Sequence, residues 1–175
     1  GANPIRQPLE NLDEASQLYG PIIYMKAPVA FRQLEAACGA EVFRGAARTY
    51  LQTHAFGSAD WDDLKGVLET GAPIALADWS RDWIESPGRP TCEVVMQGGT
   101  DGIADAALVV TDPAGRGRTW PQRLHVTLGW PDATRVVEVD VRGARTPIPG
   151  VAGMPMPSFV LPDGRGLGYG LFLLD

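Results

Sequence analysis

Apolar positions recur every three to four residues in the first half of the chain and every two in the second. These are the periods of a helix burying one face and of a strand half-buried in a sheet. The change falls near Pro87-Gly88-Arg89-Pro90. Phe31, Leu34, Glu35 and Cys38 stand at helical spacing after Pro28, a residue suited to a first turn, and Gly39 is placed to end that helix as a left-handed cap. A second helix is expected over about Glu41 to His54, with Val42, Phe43, Ala46, Ala47, Tyr50 and Leu51 on its apolar face and Gly57 stopping it. Ser58 or Asp60 caps a third, with Trp61, Leu64, Val67 and Leu68 inward and Gly71 at its end. A fourth is expected from Ala75 to Glu85, with Leu76, Trp79, Trp83 and Ile84 on one side, and Leu12 to Tyr19 also reads as helical.

After Pro90 the pattern is that of strands: Thr91–Gln97, Ala107–Thr111, Arg123–Leu128, Arg135–Val141 and a last one from Tyr169 to Leu174. Gly98-Gly99 and Asp101-Gly102 supply turn chemistry, and Thr146 to Pro157 reads as an irregular or edge segment. The expected fold is therefore α+β, a helical subdomain over residues 1–88 followed by an antiparallel β-sandwich over 89–175. No internal repeat is visible.

Composition narrows the function classes. With 45% hydrophobic and 21% charged residues, the chain can bury a core. No apolar run reaches spanning length and no signal peptide is visible, so no membrane partner is expected, and a soluble, cytoplasmic setting is favoured. The net charge of −6 argues against binding phosphate backbones, and eight arginines from Arg89 to Arg165 are dispersed among acids as a solvated surface would have them. Cys38 and Cys92 read as two buried free thiols, with a bridge between them still open. Lys26 reads as a residue that fixes a loop or helix end, and Arg6 as a carboxylate partner with none in view. His54 reads as packed or capping, and His125, alternating with Arg123 and Thr127, as lying on an exposed sheet face. Asp60, Asp62 and Asp63 suit a helix N-terminus better than a calcium site. Trp79 and Trp83 suit core packing between the two halves better than a carbohydrate platform, for which Trp120 and Trp130 would be the sandwich candidates. Gly164 to Gly170 lacks the Lys-Ser/Thr of a phosphate loop.

Several local motifs follow one another in a recognisable order. Pro4-Ile5-Arg6 is followed by Tyr24-Met25-Lys26-Ala27, then by a helix ending in Cys38-Gly39. Next come Phe43, Gly45, Tyr50, Leu51 and His54, then Asp63-Leu64, then Trp83, Gly88 and Pro90, and finally Gly168-Tyr169-Gly170-Leu171. This order resembles the zinc-dependent aminopeptidases of the M1 (gluzincin) family, from the C-terminal part of the thermolysin-like catalytic domain into the sandwich that follows. Met25 and Ala27 depart from the family's Glu and Gly, Gly45 comes one residue early, and Asn3 stands where some members carry His.

The resemblance implies hydrolysis of N-terminal peptide bonds, a peptide substrate and a zinc ion in the parent enzyme. It also implies that Tyr24, at the mouth of the first long helix, donates a hydrogen bond to the oxyanion of the tetrahedral intermediate. The family's His-Glu-x-x-His motif cannot be built from His54 and His125, and its Gly-x-Met-Glu-Asn segment is not in the sequence. Both are expected upstream of Asn3, in the other half of the catalytic domain, which would be a partner of this piece. The piece alone is therefore expected to bind no zinc and to be inactive. The competing expectation is a non-catalytic interaction or scaffolding module, a pseudo-peptidase.

Overall fold

The computed structural model describes residues 3–8, 11, 20 and 22–174. The helix expected over Leu12 to Tyr19 lies outside them. The chain divides into two compact units, Ile5–Ser86 and Pro87–Asp175, the latter together with Gly1–Pro4.

The first unit is helical. A single π-helical turn, Ile22–Lys26, runs directly into α1, Ala27–Cys38, with Pro28 in the first turn of α1. α1 buries Ala30, Gln33, Leu34 and Cys38. Gly39 separates it from α2, Ala40–Thr53. The glycine has φ 89° and ψ 140°, so it uses a positive φ that other residues rarely adopt but is not the expected left-handed helical cap. That extended ψ turns the chain straight into the next helix, while its amide still closes on the Glu35 carbonyl at 2.8 Å. Of the apolar face expected for α2, Ala46 is buried, whereas Leu51 is exposed.

α3, Trp61–Glu69, begins at a reciprocal cap. Asp60 accepts from the Asp62 and Asp63 amides at 2.8 and 3.2 Å, and Asp63 accepts from the Asp60 amide at 2.9 Å. This satisfies donors that a helix start leaves open. The fourth expected helix is realised as a short α4, Leu76–Ser80, followed by a second π-helical turn, Arg81–Glu85. A chain of rings binds these elements. Phe31 stands edge-on to Phe43 and Trp61 at 6.5 and 6.4 Å between centroids, Trp61 lies 6.2 Å from Trp79, and Trp79 stacks on Trp83 at 5.5 Å.

The second unit is a sandwich of two sheets. One has the order β5-β2-β1-β7 and the other β4-β3-β6. Their strands are β1 Thr91–Gly99, β2 Gly102–Thr111, β3 Gln122–Gly129, β4 Thr134–Val141, β5 Arg145–Pro147, β6 Phe159–Leu161 and β7 Leu171–Phe172. Alternate residues of both sheets converge in one core, with Val94, Leu108 and Val110 from one and Leu124, Val126, Val139 and Val141 from the other. The pairs β1–β2, β3–β4, β2–β5 and β3–β6 are antiparallel, as expected. The last strand is a difference: it is two residues long and runs parallel to β1. Tyr169, expected to begin it, is instead held before it, donating from its hydroxyl to Gly88 and exchanging hydrogen bonds with Gln122.

Among the described residues no helix is long and apolar enough to cross a membrane.

Candidate functional site

The π-helical turn places Tyr24 just before α1, its amide donating to the Gly20 carbonyl at 3.1 Å. The Tyr24 side chain is 69% exposed and neighbouring Met25 is 67% exposed. A phenol in that setting is presented to whatever lies beside the helix mouth, rather than consumed in packing. Lys26, two residues on, is the opposite: only 5% of it is exposed, and its ammonium donates to the Ser86 carbonyl at 3.3 Å. Lys26 thus fixes a helix entrance, as expected, but from a buried position that its sequence neighbours do not disclose. The acceptor is 60 residues away.

Arg6 finds the partner that the sequence leaves open. Its guanidinium bonds Asp62 at 2.8 Å and stands 3.8 Å from Asp60, at the start of α3. Asp62 is also bonded by Lys65 at 2.8 Å. Hydrogen bonds from Lys65 and then Arg6 hold its carboxyl below the usual carboxylate range. The acidic cluster is therefore occupied by a cap and two cations.

A cleft of about 660 Å³ opens between α2 and α3, lined by Val42, Ala46, Thr49, Val67 and Thr70 among others. Glu41 at its edge is paired with Arg44, and Asp62 and Asp63 are engaged as described. The cleft does not include Tyr24. It is a gap between small residues, not the place where the predicted chemistry collects.

The remaining candidates are structural. The His54 ring lies 5.2 Å from Tyr50 at the end of α2, as a packed histidine would. His125 corrects the expectation of an exposed face, since it is 8% exposed. It points away from the shared core, and the segment after β6 bonds its backbone. Asp163 accepts from the His125 amide, and the Gly164 amide donates to its carbonyl. A Cβ at Gly164 would come within 2.1 Å of Thr127, so only glycine permits this approach. The His125 imidazole stands 3.7 Å from Glu138, its cross-strand neighbour.

Cys38 and Cys92 are both free and buried. Burial raises each thiol's pKa; for Cys92, with a smaller contribution from Asp163, it is pushed up to about 12. Trp79 and Trp83 are buried, as core residues rather than a platform. Trp120 is fully buried with the Arg118 guanidinium 4.8 Å over its ring, which removes the exposed aromatic row a carbohydrate-binding sandwich needs. Arg118 and Arg116 donate to the Pro87 carbonyl and flank Asp112; Arg116 stays exposed, whereas the Arg118 side chain is largely covered and is not the solvated surface expected of it.

The sequence-predicted residues are thus not drawn into one site. Among the described residues no three of His, Cys, Asp and Glu converge to hold a metal ion. Among the described residues, the expected donor Tyr24 is an exposed phenol on a turn whose last residue, Lys26, is buried.

Comparison with known proteins fits this partial site. Residues 1–83 match the family model described as the Peptidase family M1 domain. The chain is 27% identical over 186 aligned residues to "Aminopeptidase N" of Streptomyces lividans, an alignment covering 99% of the chain and 22% of that protein. It is 31% identical over 126 residues to "Tricorn protease-interacting factor F2" of Thermoplasma acidophilum, covering 71% of the chain and 16% of that protein. The chain thus spans about a fifth of the length of these relatives. The crystal structure of Legionella pneumophila aminopeptidase A in complex with aspartic acid superposes with a TM-score of 0.50 at 20% identity, over 74% of the chain and 15% of that one, a likeness of fold. Together with the ordered motifs from Pro4 to Pro90, the match over residues 1–83 and the alignment along nearly the whole chain make this chain similar to one part of the peptidase family M1 proteins.

Proposed function

We propose that the full-length protein carrying this chain is a zinc aminopeptidase, hydrolysing N-terminal peptide bonds, and that Tyr24 is its oxyanion donor. Residues 1–88 are then the helical end of its catalytic domain and residues 89–175 the sandwich that follows it in the chain. The observation that carries the reading is the exposure of the Tyr24 side chain at the mouth of α1, in a stretch matched by the M1 domain. A carbonyl under attack by water gathers negative charge on its oxygen. A fixed, uncharged phenol donates to that oxygen most strongly when the charge has developed, so it favours the transition state over bound substrate.

Among the described residues none fit a zinc site. His54 is packed against Tyr50, and His125 is buried beside Glu138. The groups that hold the metal and activate water belong, on this reading, to parts of the protein beyond these 175 residues. The contribution of this chain is the donor and the framework that aims it.

Hydrolysis of aminoacyl p-nitroanilides by the full-length protein and by the 175-residue chain tests the proposal. The full-length protein turns them over and the chain, with zinc added, does not. Turnover by the isolated chain that Tyr24→Phe abolishes contradicts the division of labour. A full-length protein without turnover leaves the scaffolding module as the function.

A further inference from the structure

We infer that Lys26 is the positioning residue for Tyr24, acting through the Ser86 carbonyl; the inference rests on the reading of Tyr24 as oxyanion donor. A π-helix is rare and occurs mostly as a single turn, frequently at functional sites, so what holds this turn in place bears on the residue it carries. Tyr24 cannot supply that hold by packing, because most of its side chain is exposed. Support arrives from the other end of the same five-residue turn, where Lys26 is buried. A buried ammonium is costly unless acceptors hold it, so its place is well defined. The Ser86 carbonyl, 3.3 Å from Nζ, is one such acceptor.

Ser86 is itself well fixed. It follows the π-helical turn Arg81–Glu85, which buries Trp83 and Ile84. The Ile84 carbonyl accepts from the Ile5 and Arg6 amides at 2.8 and 2.9 Å. Lys26 therefore ties the turn bearing the exposed phenol to the segment that follows the buried Trp83 and Ile84. Removing that tie leaves the Tyr24 hydroxyl in place chemically but free to wander, and misplacement by about 1 Å costs on the order of a hundredfold in rate.

The test is a double-mutant cycle in the full-length protein. Lys26→Met lowers kcat on the order of a hundredfold with KM little changed, since the lost interaction acts only in the transition state. Lys26→Arg, which keeps a charged donor at that end, restores most of it. In a Tyr24→Phe background, Lys26→Met lowers kcat no further, because the group it positions is gone. Should Lys26→Met fold poorly, Lys26→Gln, which keeps a donor without the charge, takes its place in the cycle. Full kcat in the Lys26 variants overturns the inference, as does a double variant whose losses multiply. Full kcat in Tyr24→Phe overturns the oxyanion reading and this inference with it.

Discussion

The two units are stabilised differently, and the difference tracks where the chemistry can be. The sandwich is held by a continuous aliphatic core in which both sheets contribute alternate residues. The helical unit also buries apolar residues, Leu34, Leu68, Leu76 and Trp83 among them, and adds directed contacts: a chain of rings from Phe43 to Trp83, the Asp60–Asp63 cap and the Lys26–Ser86 hydrogen bond. Area burial is non-directional and fixes a body as a whole. Directed contacts fix particular atoms, which is what aiming one hydroxyl requires. The comparison thus separates a unit held by its aliphatic core from one that adds directed contacts to its core, as the proposed role of Tyr24 requires.

Breaking the ring chain should have the largest effect on stability. Trp83→Ala is expected to cost about 3–5 kcal/mol, read by denaturant unfolding, with amide-exchange protection lost over residues 27–85 before it is lost from the strands. Leu124→Ala, at the centre of the sandwich core, should cost about 2–5 kcal/mol and leave protection in α1 and α2 intact. Coincident loss of protection in both units in either variant would contradict the separation. Asp60→Ala removes the α3 cap and should cost about 1 kcal/mol, with Asp60→Asn recovering most of it.

The smallest effect at neutral pH belongs to Cys92. Its folded-state pKa of about 12 lies above the ordinary thiol value of 9.0. The unfolded chain therefore releases this proton first as pH rises. Stability associated with Cys92 is intact below about pH 9 and is lost progressively toward pH 12. Replacing the thiol by Cys92→Val should flatten that alkaline decline in melting temperature and leave the pH 7 value nearly unchanged. An unaltered alkaline slope would show that the thiol does not govern it.

Much of this fold is legible in the sequence because its elements are strongly periodic. The α1, α2 and α3 boundaries and the cores of β1 to β4 follow from apolar spacing, Pro28, Asp60 and the glycine-rich turns. Periodicity fails where a third element decides burial. Leu51 shares the apolar face of α2 but is exposed, because the pattern assigns a side and not a neighbour. His125 is on the outer side of β3, as alternation demands, yet it is buried, and its backbone is bonded by a segment nearly 40 residues later. β7 is short and parallel because it only brushes β1 over Thr91 and Cys92, a pairing no local pattern encodes.

The candidate site was legible in a different way. Tyr24 lies in a short apolar run whose periodicity gives it no distinction, and its role comes from the order of motifs around it. Lys26 stands in the same run, but its burial and its tie to Ser86 depend on a contact between the two ends of the helical unit.

The most direct measurement is the steady-state kinetics of Tyr24→Phe in the full-length protein, a change that removes one oxygen from an exposed ring. The account predicts kcat lower by about 10²–10³, with KM and melting temperature near those of the unmodified protein. Wild-type kcat in that variant would contradict it.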